Sequence, residues 1–484
     1  MAPPRQLPRS ALRESPRLPA DARHAISRLT YGQSPDLLDE LASRGTEGFI
    51  ARQLDPASID DSACDAEVAE FRRLYRPAHE LVGQNAQWHV QNELVGMTLV
   101  RSVKSRRQLL EVMTDFWHNH LSVNSGKRRI AFLLPSDDTT MRRLALGRFD
   151  ELLLESARSP SMLAYLDNRT SRGDQVRPPN ENYARELLEI HTLGDASAFS
   201  EADVEAVAHV FTGWTIDPGN WTFRYQADWN RLGPSADRDT LGWRPVAGDG
   251  SRENGESLIA HLARHPTTAR NLALKLCRHF IRDSIGADDG TVRSVAESYL
   301  ANGTDIRATL ATLFASEAFR NSAGARIRRP NELIYAMLRA TSADFPLLRE
   351  NPERFGREVR ENFMRLNQVT FEAPSPKGWS YEDRAWMDAS ALIQRWNLAF
   401  RIAANRSDGV NVDLGDFAME AATVGEFVDE IGTLLIGTAL PESERRHLLS
   451  HLGAEAGDPV TPRIRLRRAA IVGLTLASPT FQAR

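Results

Sequence analysis

The sequence predicts an all-α protein, a single large body of roughly 15 helices, and three observations lead there. Apolar residues recur with a period near 3.6 in most segments from residue 21 onward. Helix punctuation brackets those segments, with Ser, Asp or Asn before a run and Pro at its first position. Alternating apolar residues, sustained long enough for a large sheet, are scarce. The periodic part is expected to be one domain, 21–484, carrying one long polar insertion at 214–255. Residues 1–20, MAPPRQLPRSALRESPRLPA, are rich in Pro and Arg and are expected to be a disordered tail.

Taken in order, Asp21 is placed to cap a helix bearing Ala22, Ile26 and Leu29. Ser34-Pro35 opens a second with Leu37, Leu38 and Leu41, ending before Gly45. Arg101 to His120 is one long amphipathic run with Leu109, Val112, Met113, Phe116 and His120 at helical spacing. Short helices at 150–157 and 161–166 flank Pro160. The same period marks 180–193, 200–211, 256–264, 266–282, 290–301 and 304–316, then a helix from Pro330. It returns at 385–404, 423–437, 441–452 and 462–477. Two segments, 214–255 and 367–384, are aperiodic but keep several tryptophans, which argues for ordered, functional loops.

Composition excludes several functions. Lys and Arg total 60 against 64 Asp and Glu, a net charge of −4, which disfavours a nucleic-acid binder. No stretch approaches the ~18 apolar residues of a spanning helix. Cys64 and Cys277 are isolated, so neither a disulfide framework nor a thiolate zinc site is expected. The N-terminus lacks the apolar run of a secretory signal, so the cytoplasm is the expected address, with export by another route left open. The nucleophile elbow, the zincin helix, the phosphate-binding loop and the dinucleotide fingerprint are all missing.

Three constellations could carry chemistry. The first is Asp115-Phe116-Trp117-His118-Asn119-His120. On a helix His118 and His120 point ~200° apart, so a joint metal site requires the helix to end near Trp117. Otherwise His120 continues the apolar face, while Glu111, Asp115 and His118 line the other. The second is the helix start Pro178-Pro179-Asn180, where Asn180 is a natural N-cap. Asn182, Glu186 and Glu189 then form a polar stripe, Tyr183, Leu187 and Ile190 an apolar one, and Glu181 can pair with Arg185. Asp167, at the end of the helix before it, supplies another carboxylate. The third is Pro374-Ser375-Pro376-Lys377-Gly378-Trp379 followed by Arg384-Ala385-Trp386, either a ring-stacking loop or a loop pinned to the core by its tryptophans. The basic clusters Lys104–Arg107, Arg326–Arg329 and Arg463–Arg468 read as solvated helix faces.

The blocks FWHNH at 116–120, MLAYLDN at 162–168, PNENYARELLEIHTLG at 179–194 and FTGW at 211–214 resemble the bacterial family called domain of unknown function 1800. So do HPTTARNLALKLCRHF at 265–280, RRPNELI at 328–334, PSPKGWSYEDRAW at 374–386 and LASPTFQ at 476–482. The resemblance runs without interruption from about residue 22 to the end. It implies little about activity, since the family is named for lacking one. Many members look exported and are encoded beside a sulfatase-like partner, which implies work on envelope or extracellular polymers. This chain departs from the pattern in lacking an evident signal, and its 224–242 segment lacks the expected histidine-aspartate pair.

The resulting expectation is an enzyme acting on a carbohydrate or envelope polymer by acid-base chemistry. Glu181 or Glu186 would be the acid or base and Asp167 the second carboxylate, with His118 or His120 as proton shuttle. Asn119, Asn182, Tyr183, Arg185, Trp214, Lys377, Trp379 and Trp386 would bind the glycan. The alternatives are a non-catalytic partner or scaffold for a sulfatase-like protein, and a metal-dependent hydrolase. No metal ligand set and no cofactor is assigned.

Overall fold

The computed structural model describes residues 18–83, 87–127, 129–174, 178–233, 236–415 and 417–484. The expected disorder of the 1–20 tail therefore lies almost wholly outside the described residues.

The chain is all-α. Among the described residues there are 25 α-helices and a single two-stranded antiparallel hairpin, Trp214–Ile216 against Phe223–Tyr225. The helices outnumber the expectation because several span a single turn, such as Glu317–Arg320, Pro462–Arg465 and Pro479–Gln482. Four residues are too few to display a 3.6-residue period.

Most boundaries follow the local chemistry. Asp289, Asp305, Asp388 and Thr461 accept a main-chain N–H from the first turn of the helices they precede. Ser200 and Thr423 form reciprocal capping boxes with Asp203 and Glu426. Elsewhere the structure corrects the reading. Asp21 lies inside the Ala20–Leu29 helix and accepts from the Thr46 hydroxyl at 2.6 Å instead of capping. The helix from Pro35 kinks at Gly45, where φ is +69°, and continues to Leu54. The run through Arg101 to His120 is two helices, Gln87–Lys104 and Gln108–His120. Asp61 separates them by accepting from the Ser105 hydroxyl (2.7 Å) and the Arg106 amide (2.7 Å), bonds that a continuous helix would not leave available. The Leu134–Leu144 and Pro352–Arg365 helices were not legible in the pattern.

One apolar core runs from Leu29 to Phe481, with a small satellite around Ala22, Leu37 and Phe49. Gln87–Lys104 and Pro352–Arg365 cross closely because Gly96 and Gly356 meet there. A methyl at Gly356 would sit 2.0 Å from the Asn92 carbonyl oxygen.

The core also holds charge. Arg326, Arg328 and Arg329 are buried, not solvated. Arg329 pairs with Asp115 at 2.9 Å and with Glu332 at 3.1 Å, and Glu332 also pairs with Arg484 at 3.1 Å. Arg326 pairs with Asp383 at 2.9 Å. The reason is topological: an isolated bridge joins Ile327 to Ala483, so the C-terminal segment lies over this cluster and shuts out water. The other two basic clusters are only partly solvated. Lys104 donates to the Ala343 carbonyl at 2.6 Å and Arg107 to the Ile59 carbonyl at 3.0 Å, while Arg463 is exposed.

Candidate functional site

The Gln108–His120 helix continues through both histidines, so they face different neighbours. His118 donates to Asp138 at 3.0 Å and stands edge-on to the Phe371 ring at 4.8 Å. Asp138 also meets Arg142, which bonds Glu111 in turn. Burial would raise Asp138, but Arg142 and His118 hold it well below the usual carboxylate range. His120 is fully enclosed. Its Nε2 donates to the His191 carbonyl at 3.0 Å, and its Nδ1 accepts from Lys275 at 3.0 Å. Burial, then the Lys275 charge, keeps His120 neutral and pushes His191 down to about 3. Burial alone lowers Lys275 to about 8.

The helix of the second constellation is Asn182–Glu186, followed by a π-helical turn over Leu187–Thr192. Asn180 still helps at its start, accepting from the Asn182 amide at 2.9 Å. The wide turn sets the Thr192 hydroxyl on the Leu187 carbonyl and the Leu193 amide on that of Leu188. Such turns insert one residue's worth of extra rotation and often re-aim side chains at functional sites. Here the turn sends His191 inward and leaves Glu186 and Glu189 half-buried on the outer face.

The third constellation docks between these two. The Asn119 side chain accepts from the Trp379 amide at 2.6 Å and donates to the Trp379 carbonyl at 3.1 Å. Gly378, at φ +73°, passes so close that a methyl there would lie 2.2 Å from the Asn119 carbonyl oxygen. Only glycine fits both the backbone conformation and the approach. The latch carries Lys377 to Glu189, 3.7 Å away, and places Trp379 against Trp386 with ring centres 5.9 Å apart.

The result is a patch around Glu186. Burial and the neighbouring Glu189 raise its pKa, with Lys377 and Arg185 opposing. Its Oε2 is buried without a hydrogen-bond partner, as is the Trp379 indole N–H. Burial, then the Glu186 charge, raises Tyr165. Lys127 donates to the Tyr165 carbonyl at 2.6 Å and to Asp167 at 2.9 Å, which brings Asp167 to the edge of the same region.

The remaining sequence-chosen residues sit differently. Glu181, Arg185 and Glu201 form a partly exposed ion-pair chain, with Arg185 3.2 Å from Glu181 and 2.7 Å from Glu201. Asn182 is exposed, and Tyr183 is buried edge-on to Phe211. Trp214 is 0% exposed, wedged between Phe211 and Phe223 over Gly255. It cannot touch a polymer, because the hairpin that carries it folds inward. Trp386 is buried too, its N–H donating to the Ser380 carbonyl. Sequence reasoning missed Lys127, Tyr165, His191 and Lys275. His191 and Lys275 lie within the family-like blocks at 179–194 and 265–280, the one signal that could have flagged them. Among the described residues no three His, Cys, Asp or Glu side chains are grouped to hold a metal ion. No helix among them is long and apolar enough to cross a membrane.

The family described as protein of unknown function (DUF1800) matches residues 24–483, so the chain belongs to that family. No curated protein and no solved structure matches it.

Proposed function

We propose that this member of the family is an enzyme acting on a carbohydrate or envelope polymer, with Glu186 as its general acid. The observation that carries the reading is a half-buried carboxyl whose pKa is raised and whose Oε2 has no partner, standing beside a second carboxylate. A carboxyl raised by burial is suited to act as the general acid. Glu189, 3.7 Å from Lys377, would serve as base or stabilise developing positive charge. Trp379 offers a partly buried indole whose accessible ring face suits stacking on a sugar. Asp167 with Lys127 would bind at the rim. His118 and Asn119 act in this scheme as positioning residues: each is committed to a protein partner, one to Asp138 and the other to the Trp379 main chain. His120, sealed behind the π turn, has the same supporting role.

The test is reducing-end release from a panel of bacterial polysaccharides and peptidoglycan. Glu186→Gln should lower turnover by ~10²-fold or more. Glu181→Gln should leave it unchanged, since Glu181 only pairs with Arg185. Full turnover by Glu186→Gln would remove it from the chemistry.

A second reading, a scaffold for a sulfatase-like partner, is favoured by another surface. Ile393, Trp396 and Phe400 are exposed at 52%, 46% and 40% on one stripe of the Ala389–Ala403 helix. Inactivity on every polymer, combined with loss of partner binding by Trp396→Ser, would select it.

A further inference from the structure

The first helix, the 323–340 region and the C-terminal segment enclose a cavity of about 390 Å³, remote in sequence from the Glu186 patch. Its size is in the range of small-ligand sites. Leu18, Ile26, Leu435, Ile436 and Phe481 give it apolar lining. Three arginines, Arg23, Arg328 and Arg484, line it as well, beside His24, which burial lowers to about 4 and keeps neutral. Ala20, Ala323 and Gly324 at the mouth are exposed, while His24 and Arg328 at the floor are buried.

Behind this floor the charges do not balance. Among the described residues, Arg28, Arg326, Arg328, Arg329, Arg395 and Arg484 are buried together, and the carboxylates reaching them are Glu332, Asp115 and Asp383. Arg28 has no ion-pair partner. One of its nitrogens donates to the Ser322 carbonyl, and its Nε and Nη1 are buried without any partner. Arg23 Nε, on a cavity-lining side chain, is a buried donor without a partner as well. Burial, then the charges of Arg484 and Arg326, lowers Arg28 to about 8. An uncompensated buried cation is costly, and donors left without acceptors add to that cost.

We infer that this cavity binds a small organic anion, with its acidic head on Arg23 and Arg328 and a short apolar body against Leu18, Leu435 and Ile436. The anion would supply the acceptor that Arg23 Nε lacks and a countercharge beside the buried Arg328, and the apolar lining would select against inorganic ions. The assignment is independent of the chemistry proposed for Glu186.

The experiment is a calorimetric titration of the full chain with octanoate, compared at matched ionic strength with acetate and with octanol. The expected result is saturable 1:1 binding of octanoate, with acetate and octanol each at least ten-fold weaker. Arg328→Gln should abolish binding, but Arg328 also donates to the carbonyls of Phe481 and Ala483 and its loss endangers folding. Arg23→Gln, nearer the surface, is the safer variant and should weaken octanoate at least five-fold while the melting temperature without ligand is unchanged. Thr438→Trp should block the cavity. Octanol binding as tightly as octanoate, or octanoate giving no saturable heat because charge within the chain already satisfies these arginines, would overturn the proposal.

Discussion

Asn119→Ala tests how the site is assembled. The Asn119 side chain makes two hydrogen bonds to one main-chain unit, accepting from the Trp379 amide at 2.6 Å and donating to its carbonyl at 3.1 Å. Asn119 is buried, so water cannot readily replace the lost groups. Leaving one buried polar group unpaired costs about 1–3 kcal/mol, so two should cost about 2–4 kcal/mol, softened by whatever the loop can relax. Asn119→Asp sharpens the test. It keeps the acceptor for the Trp379 amide but sets a carboxylate oxygen against the Trp379 carbonyl, so at neutral pH it should cost at least as much. Urea unfolding reads the stability, and hydrogen exchange followed by mass spectrometry reads the 374–386 loop. Exchange there should accelerate in both variants, while the Pro266–Phe280 helix, which makes no bond to Asn119, keeps its protection. An Asn119→Ala protein within about 0.5 kcal/mol of wild type, with an equally protected loop, would refute the latch.

The other expectations follow from burial and charge. Trp214→Ala should destabilise by about 3–5 kcal/mol, the usual scale for emptying a core aromatic site, measured by the same denaturation. Glu181→Gln, by contrast, alters a partly exposed ion pair and should change stability by no more than about 0.5 kcal/mol. Stability should also fall in mild acid. Burial holds His24 near 4, His191 near 3, and His120 and His279 well below their ordinary value. Between about pH 6.5 and these folded values, the unfolded chain binds protons that the folded chain refuses, so stability rises with pH in that window. Glu93, raised by burial to about 7, acts in the opposite sense, as do Glu67, Asp115, Asp137, Glu186 and Asp383, whose burial also raises them, and together they offset part of the histidine effect. The net loss from pH 7 to pH 5 should exceed about 2 kcal/mol, and His191→Gln should flatten the slope. A flat profile over that range would contradict the buried-neutral histidines.

What the sequence determined by itself was local. The helical class, the helix starts near residues 200, 290 and 423, and the Glu181–Arg185 pair all depend on residues within one or two turns of each other. Within such distances side-chain spacing and cap chemistry decide the outcome. The membership of blocks in one family was likewise readable, because a run such as PNENYARELLEIHTLG is long enough to be specific. What periodicity could not carry was any contact made across the fold. Arg326–Arg329 reads as a charged helix face until the chain end returns, 156 residues later, to bridge Ile327 to Ala483 and cover it. Asn119 gives no sign of its role until Trp379 arrives from 260 residues away, and His120 none until Lys275 does. Trp214 and Trp379 are the same residue type in similar aperiodic loops, yet one is sealed in the core and the other partly exposed on the loop latched to Asn119. Burial and electrostatic partnership belong to the packed chain, because desolvation depends on every neighbour in space and not on those adjacent in sequence.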